Sequence, residues 1–519
     1  MNKLKEKDIV TLVKENKLLH KKVLELEKQV SNFQKLFFGK KSEKMKNLKL
    51  NDVENQLSLF EELEDLDTES KNSNSEKPVE KVTITPKVSS KKGRIKISKK
   101  LPVVEFVCSV PEEEKVSERG EKLVVIGHEE SSKLHYIPGK VVRLVYKREI
   151  LGYKDSREYV KMAPLPEMIV PRGKFSDDLI HNFVFEKYFN GMPLYRQIKS
   201  LSVSGVELSK STVSDSIQNF SELYRPIYEE IKNQIFSSKF IHADESPLKY
   251  GGHKEKYQTG YIFVYQDKTQ VYFHYGDNRS QSEIENVLSK VSGNDEGFLG
   301  YLMCDGYAGY NKHKGKRLAC FAHARRNFYK LAEKNRDAKS VLDLINKLYY
   351  VEKEIYQLGE DNALSQEEIL EKLGECRQTK SKEILSDLKE ILNRLNFKYT
   401  PKSSMGKAIT YMLKRWENFQ VYLEDPSLPL DNNAAERSIR SMVIGRKNYY
   451  FAGSKKSGKS GAICYTLMES CKLQGIDPRD YLKKVTSELL KLRNAKNPDY
   501  SKLTPVALAD EIKKMKSNF

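Results

Sequence analysis

The chain reads as a multidomain α/β protein, and three observations predict it. Strand-like runs crowd residues 238–320, a nearly unbroken helical pattern fills 323–425, and a heptad repeat opens the chain. The length of 519 residues suits roughly three or four domains, with at least one well-buried core.

From the N-terminus, Ile9, Leu12, Leu19, Val23, Leu26, Val30, Phe33 and Phe37 alternate with Asn16 in steps of three and four. That is the a/d pattern of a coiled coil. Asn16 takes an a position, where a polar residue costs stability but fixes register and strand number. The spacing predicts a coiled coil over 1–44 that joins copies of the chain into a homo-oligomer. The alternative is one amphipathic helix packed on its own domain. Residues 45–100 are rich in Lys, Glu, Ser and Asn and poor in aromatics, which reads as a linker. Residues 101–172 alternate apolar and polar side chains, as in Val141-Val142-Arg143-Leu144-Val145-Tyr146, and predict a small β-rich module.

Residues 173–236 read as a helical, DNA-binding domain. Ser176-Asp177-Asp178 is an N-cap, Gly191-Met192-Pro193 breaks the pattern, Ser204-Gly205-Val206 turns, and Ser209 caps the next helix. Helix, glycine turn, capped helix is a helix-turn-helix layout, although ordinary helical hairpins share it. Strands follow at 240–244, 261–265 and 270–275, with turns at Gly251-Gly252 and Asp267-Lys268. A helix at 282–291, a strand ending at Asp305, and a strand at 317–320 complete the run. The order β-β-β-α-β-α-β is that of a ribonuclease-H-like sheet. Residues 237–334 then read as the first part of this core, 335–425 as a helical stretch, 426–475 as the second part of the core with a helix at 433–440, and 476–519 as a helical tail.

Net charge is +19 and the pI near 9.2. Such an excess points to a polyanion, most often nucleic acid; the blander reading is a generally lysine-rich composition. The six cysteines, at 108, 304, 320, 376, 464 and 471, form no C-x-x-C pair, which argues for free thiols in a reducing compartment. No apolar run approaches the ~18 residues of a membrane span, and residues 1–8 are polar, without a signal-peptide core. A cytoplasmic protein acting on DNA, without a membrane, is expected.

Three acidic residues carry the chemistry. Asp244 lies in Phe240-Ile241-His242-Ala243-Asp244-Glu245-Ser246, Asp305 in Tyr301-Leu302-Met303-Cys304-Asp305-Gly306-Tyr307, and Glu436 in Asp431-Asn432-Asn433-Ala434-Ala435-Glu436-Arg437. Carboxylates at neighbouring strand ends converge, and three of them can hold two divalent ions for phosphodiester chemistry. Glu245 alternates to the other face of the strand and is the poorer ligand. Between 436 and 460 stand Arg437, Arg440, Arg446, Lys447, Lys455, Lys456 and Lys459 against the single carboxylate of Glu436. Arg437 and Arg440 share a helical face and can clamp phosphates; the alternative is a solvated basic face. Cys320 and His323 form a C-x-x-H pair. They are either a zinc half-site, which two ligands cannot complete, or structural residues near the site, with Cys320 buried and His323 capping or hydrogen-bonding.

Gly453-Ser454-Lys455-Lys456-Ser457-Gly458-Lys459-Ser460 satisfies the phosphate-loop pattern, between a strand-like 449–451 and a helix-like 461–473. Too little chain follows to complete a nucleotide-binding sheet. A Lys- and Gly-rich loop cradling DNA phosphates is the better reading, with a P-loop ATPase as the rival.

Several blocks, in order, make the chain resemble transposases of the insertion sequence 66 family. They are Leu36-Phe37-Phe38-Gly39-Lys40-Lys41-Ser42-Glu43-Lys44, Met192-Pro193-Leu194-Tyr195-Arg196-Gln197, His242-Ala243-Asp244-Glu245-Ser246, Asp305-Gly306-Tyr307-Ala308-Gly309-Tyr310, Cys320-Phe321-Ala322-His323-Ala324-Arg325-Arg326-Asn327-Phe328, and Asp431 to Arg440 running on through Gly445-Arg446-Lys447-Asn448 to Phe451-Ala452-Gly453-Ser454. The resemblance implies a DDE-type transposase in which Asp244, Asp305 and Glu436 are the catalytic, metal-binding triad for two Mg²⁺ (or Mn²⁺) ions. It implies DNA contacts by Arg325, Arg326, Arg437, Arg440, Arg446, Lys447, Asn448, Lys455, Lys456 and Lys459, a helical insertion before the glutamate, and accessory proteins of the same element. The alternative is a catalytically silent, coiled-coil DNA-binding protein derived from such an enzyme. Family members often carry a cysteine-rich zinc module after the linker. Here Glu112 to Pro164 contains no cysteine and Cys108 stands alone, so that module is degenerate. Ser246 replaces the common threonine.

Overall fold

The computed structural model describes residues 103–116, 121–137, 140–154, 159–251, 256–289 and 296–517. The expected coiled coil and linker lie outside them. What is described is a mixed α/β protein with two sheets.

The smaller sheet joins β1 (Val103–Cys108), β2 (Val124–Ile137), β3 (Lys140–Gly152) and β4 (Tyr159–Met162). β2 and β3 are antiparallel, and β3 carries β1 and β4. Three helices follow: α1 (Asp177–Tyr188), α2 (Leu194–Val203) and α3 (Lys210–Phe236). The cap chemistry is as the sequence suggests. The Ser176 hydroxyl accepts from Leu179 N–H and the Ser209 hydroxyl from Thr212 N–H, each satisfying an orphan donor of a first turn. Gly191 and Gly205 take positive φ at the two breaks, where glycine has no steric cost.

The larger sheet contains β5 (Phe240–Tyr250), β6 (Gln258–Gln266), β7 (Val271–Gly276), β8 (Tyr301–Cys304) and β9 (Arg317–Ala319), in the order β7-β6-β5-β8-β9. β5, β6 and β7 pair antiparallel; β5, β8 and β9 pair parallel. A single helix, α4 (Gln281–Ser289), leads from β7 toward β8. The helix expected between β8 and β9 is not formed. The connection holds only a 3₁₀ turn, Ala308–Tyr310, because Gly306, Gly309 and Gly315 interrupt so short a segment.

Both faces of this sheet are covered. Along β8, Leu302 and Cys304 join one apolar core and Met303 the other, as strand alternation requires. The first core is completed by α1, α3, α11 (Asn433–Tyr449), α12 (Lys455–Leu473), α13 (Pro478–Leu492) and α14 (Pro505–Ser517). The second is built from α5 (Phe321–Ala332), α6 (Arg336–Asp361), α8 (Lys382–Lys398), α9 (Ser404–Leu413) and α10 (Trp416–Gln420). Between α6 and α8 lie α7 (Gln366–Cys376) and a π-helical turn, Arg377–Ser381. Residues 173–236, expected as a domain apart, therefore share the first core with the sheet, since Phe183, Phe220, Tyr224 and Ile231 are buried there. The tail does the same through Tyr481, Leu482 and Ile512.

Two further expectations change. The helix anticipated over 433–440 runs on to Tyr449, so residues 449–451 make no strand; Tyr450 sits at φ +59° and ends the helix. Lys455 to Ser460 already belong to α12, capped by Ser454. Gly458 lies against the Tyr275 ring and Ser460 is buried. The phosphate-loop pattern is thus spelled on a helix that begins too early to leave a loop around a nucleotide, which removes the ATPase reading.

Candidate active site

Asp244 is brought to the site by β5 and Asp305 by the turn directly after β8, its parallel neighbour. Glu436 comes from the first turn of α11. Asp244 is mostly buried, and its carboxyl is pushed up to about 7, first by burial, then by Glu245, and further by Asp305 and Glu436. The carboxylate accepts the N–H of Glu245 at 2.8 Å. The three carboxylates are therefore in one electrostatic neighbourhood. Among the described residues no group of three acidic, histidine or cysteine side chains already sits close enough to hold a metal ion.

Glu436 faces one guanidinium and one imidazole of the protein. Arg326 Nη2 donates to its Oε2 at 3.2 Å, and His323 Nε2 lies 3.6 Å from Oε1. Burial holds His323 below the usual imidazole range, against the pull of Glu436, and its Nδ1 is buried without a hydrogen-bond partner. Cys320 turns elsewhere. It is buried, its Sγ accepts the N–H of Asn432 at 3.2 Å, and burial pushes its thiol up to about 12. A neutral thiol already used as an acceptor is a poor zinc ligand.

Each carboxylate is positioned by residues that the sequence did not single out. Asn432, fully buried, donates from Nδ2 to the carbonyl of Ala243 at 2.8 Å and meets His242 Nδ1 through Oδ1 at 2.9 Å. It ties the start of the glutamate helix to the strand residue before Asp244. Asp305 accepts the N–H of Tyr307, 2.8 Å, while its own carbonyl accepts the hydroxyl of Tyr411 on α9, 2.8 Å. Arg415 donates to the carbonyl of Gly306, 2.8 Å, and packs where any β-carbon at 306 would stand. Gly306 has φ +89°, so only glycine fits on both counts. Glu245 does face other partners: Arg279 donates to it, and the Tyr310 hydroxyl does so at 2.7 Å. Only the resemblance of Asp305-Gly306-Tyr307-Ala308-Gly309-Tyr310 to a family block marked this segment as more than a glycine-rich turn.

The basic residues divide. Arg437, Arg440 and Lys447 are exposed on one stripe of α11, and Lys456 and Lys459 are exposed on α12. Arg446 donates to the carbonyl of Pro247 and Asn448 to that of Gly191, 3.0 Å, so these two tie α11 to its surroundings. Lys455 pairs with Asp277 at 2.9 Å, and Arg325 donates to Asn346 at 2.7 Å.

The sequence model described as Transposase IS66 family matches residues 172–460, over half of the chain, and spans all three carboxylates. The chain belongs to the IS66 transposase family. A second match, Transposase C of IS166 homeodomain, covers residues 25–106, a stretch that composition alone reads largely as linker. Relatives include the proteins named "Uncharacterized protein y4hP" and "Uncharacterized protein y4jD" of Sinorhizobium fredii (strain NBRC 101917 / NGR234). The first is 28% identical over 71% of this chain and 69% of its own length; the second is 26% identical over 91% and 92%. No helix among the described residues of the IS66 protein is long and apolar enough to cross a membrane.

Proposed function

We propose that this IS66 transposase cleaves phosphodiester bonds at the ends of its element and joins the freed 3′-hydroxyls to target DNA, with Asp244, Asp305 and Glu436 as the catalytic carboxylates. The observation that carries the reading is the convergence of β5, the end of β8 and the first turn of α11, where burial first, and then the charges of Glu245, Asp305 and Glu436, raise the Asp244 carboxyl. Clustered carboxylates that repel one another are a natural seat for a hard divalent cation. Three oxygen-donor side chains fit Mg²⁺ or Mn²⁺, and two such ions are the working number. Bound there, the ions supply an activated water or 3′-hydroxyl and stabilise the leaving oxygen.

The chain's own residues do the rest. Asp244 sits on β5 and Asp305 directly after its parallel neighbour β8, so both present their oxygens from the sheet. Arg326 holds Glu436 until that carboxylate is needed, then is free to meet a phosphate of the DNA. Arg437, Arg440 and Lys447 form an exposed cationic stripe beginning next to Glu436 and hold the backbone on either side of the scissile bond. The β7-β6-β5-β8-β9 order supports a ribonuclease-H-like core, the helices of the second apolar core its insertion, and residues 101–172 a metal-free β-rich module. Proteins of the same element assist.

The test is strand transfer of a pre-cleaved element end into plasmid DNA with Mg²⁺, wild type against Asp305→Asn. Products in the wild type that vanish in the variant are expected. Equal products from both proteins would sink the assignment. DNA binding without products, even with the element's other proteins added, would favour the catalytically silent DNA-binding protein.

A further inference from the structure

We infer that a cleft between α5 and α6, opening beside Glu436, receives one unpaired nucleobase of the DNA. The inference rests on the DNA-processing reading above and names a part of the substrate that reading leaves open. The cavity has a volume of about 470 Å³, in the range of sites for small organic ligands. One wall is a single face of α5: Ala322, Arg325, Arg326 and Tyr329 recur at three- and four-residue spacing. The other wall is Asn346 and Tyr349 of α6, and the floor is Asp431 at the foot of the glutamate helix.

The chemistry of the lining is graded. Arg326, at the mouth, also touches Glu436 at 3.2 Å, so the cleft adjoins the carboxylates and is continuous with the cationic approach to them. Tyr329 is 61% exposed, a large aromatic surface open to solvent. The Arg325 guanidinium, fixed to Asn346 at 2.7 Å, lies 5.7 Å from the centre of the Tyr329 ring. An aromatic face beside a guanidinium is the platform on which unstacked bases lie. Deeper in, the Asp431 carboxylate is held by the Tyr349 hydroxyl at 3.0 Å and by Asn433 Nδ2 at 2.7 Å. An acidic floor repels a phosphate and accepts the N–H edge of a base. The arrangement therefore suits a nucleotide entering base first, with its phosphate left between the arginines. A base inside a duplex cannot reach such a floor, so the occupant must be out of the stack. Its neighbouring phosphodiester then lies at Glu436.

The experiment uses the full chain and measures affinity by fluorescence anisotropy at one fixed ionic strength. Three DNAs are compared: a blunt duplex, the same duplex with a short 3′ single-stranded tail, and that tail with abasic sites in place of its bases. The wild type is expected to bind the tailed duplex about tenfold more tightly than the blunt one, and the abasic tail to recover little of that gain. Tyr329→Ala should abolish the preference and leave blunt-duplex binding in place, while Tyr329→Trp should keep it. Tyr329 is largely exposed, so neither variant threatens folding. Equal affinity for all three DNAs, an abasic tail as good as a normal one, or a preference that survives Tyr329→Ala would each overturn the inference and leave the proposed function standing. Failure to bind any DNA would overturn both.

Discussion

Asn432 has no exposed surface; its side-chain amide reaches β5 twice, its N–H reaches the cap of α5, and its carbonyl accepts the N–H of Glu436 at 3.2 Å. A buried amide satisfied on every side fixes one geometry, because each lost partner would strand a polar group away from water. Four residues later the same helix presents Glu436. His181 on α1 illustrates the cost side of burial. It lies against Phe220, bonds to the Thr486 hydroxyl at 2.8 Å, and burial pulls its pKa down to about 3. Its folded pKa is below the unfolded value near 6.5, so the unfolded chain binds the extra proton and stability falls as pH drops through that window. From pH 6.5 to pH 5 this one residue removes about 1.6 kcal/mol. Urea unfolding at the two pH values should show a smaller loss in His181→Gln, which keeps a bond to Thr486 but does not titrate. Identical losses in the two proteins would show that His181 is not a source.

At the scale of elements, the sheet edge and the second apolar core are both secured by side chains acting on backbone. β7 is an edge strand, and an edge offers unpaired groups to other chains. α12 covers it: the N–H of Phe273 donates to Thr466 Oγ1 at 2.9 Å, and Ser470 Oγ both accepts from Val271 N–H at 3.1 Å and donates to its carbonyl at 3.0 Å. Among the helices of the second apolar core, Arg377 is 1% exposed and stands at the π-helical turn. It pairs with both oxygens of Glu352 and donates to the carbonyls of Tyr422, Asp425 and Leu428. Those carbonyls belong to the segment that delivers the chain to Asn432 and Glu436. Arg377→Leu should cost about 3–5 kcal/mol, because it strands the Glu352 charge. Lysine, a point charge without the planar fork, should not rescue it. Chemical denaturation checks both variants; a loss below 1 kcal/mol in Arg377→Leu would show that water replaces the guanidinium.

Over the whole molecule, two apolar cores on opposite faces of one sheet bring distant segments to the same edge. The helices of 335–425 reach Asp305 through Tyr411 and Gly306 through Arg415, and the glutamate segment through the bonds of Arg377 to Leu428 and Tyr349 to Asp431. They are thus a brace for two of the three carboxylates. The charge of +19 gives DNA binding a steep salt dependence through release of counterions. If Arg437 holds one phosphate, Arg437→Ala should weaken binding alike on all sequences and reduce the slope of log affinity against log salt by about 1. Anisotropy titrations across salt concentrations measure this. An unchanged slope would remove Arg437 from the interface.

The caps Ser176 and Ser209, the strands around Asp244 and before Asp305, and the exposed stripe of Arg437 and Arg440 were legible in sequence because each depends on neighbours a few residues away. Cap hydroxyls, strand alternation and helix faces are local physics. The family blocks marked the three acids for the same reason: they lie in short, dense motifs. Whether 173–236 stands alone could not be read, since Phe220 and Tyr224 would be as apolar in a separate helical bundle as against this sheet. The false strand at 449–451 and the phosphate-loop pattern failed likewise. Tyr449 continues a helix and Gly458 meets Tyr275 only because α12 lies across β7. The roles of Asn432, Arg377 and Tyr411 are tertiary altogether, for their partners stand far away along the chain. Local sequence determined which elements form and which acids they carry; long-range packing decided how those acids are held.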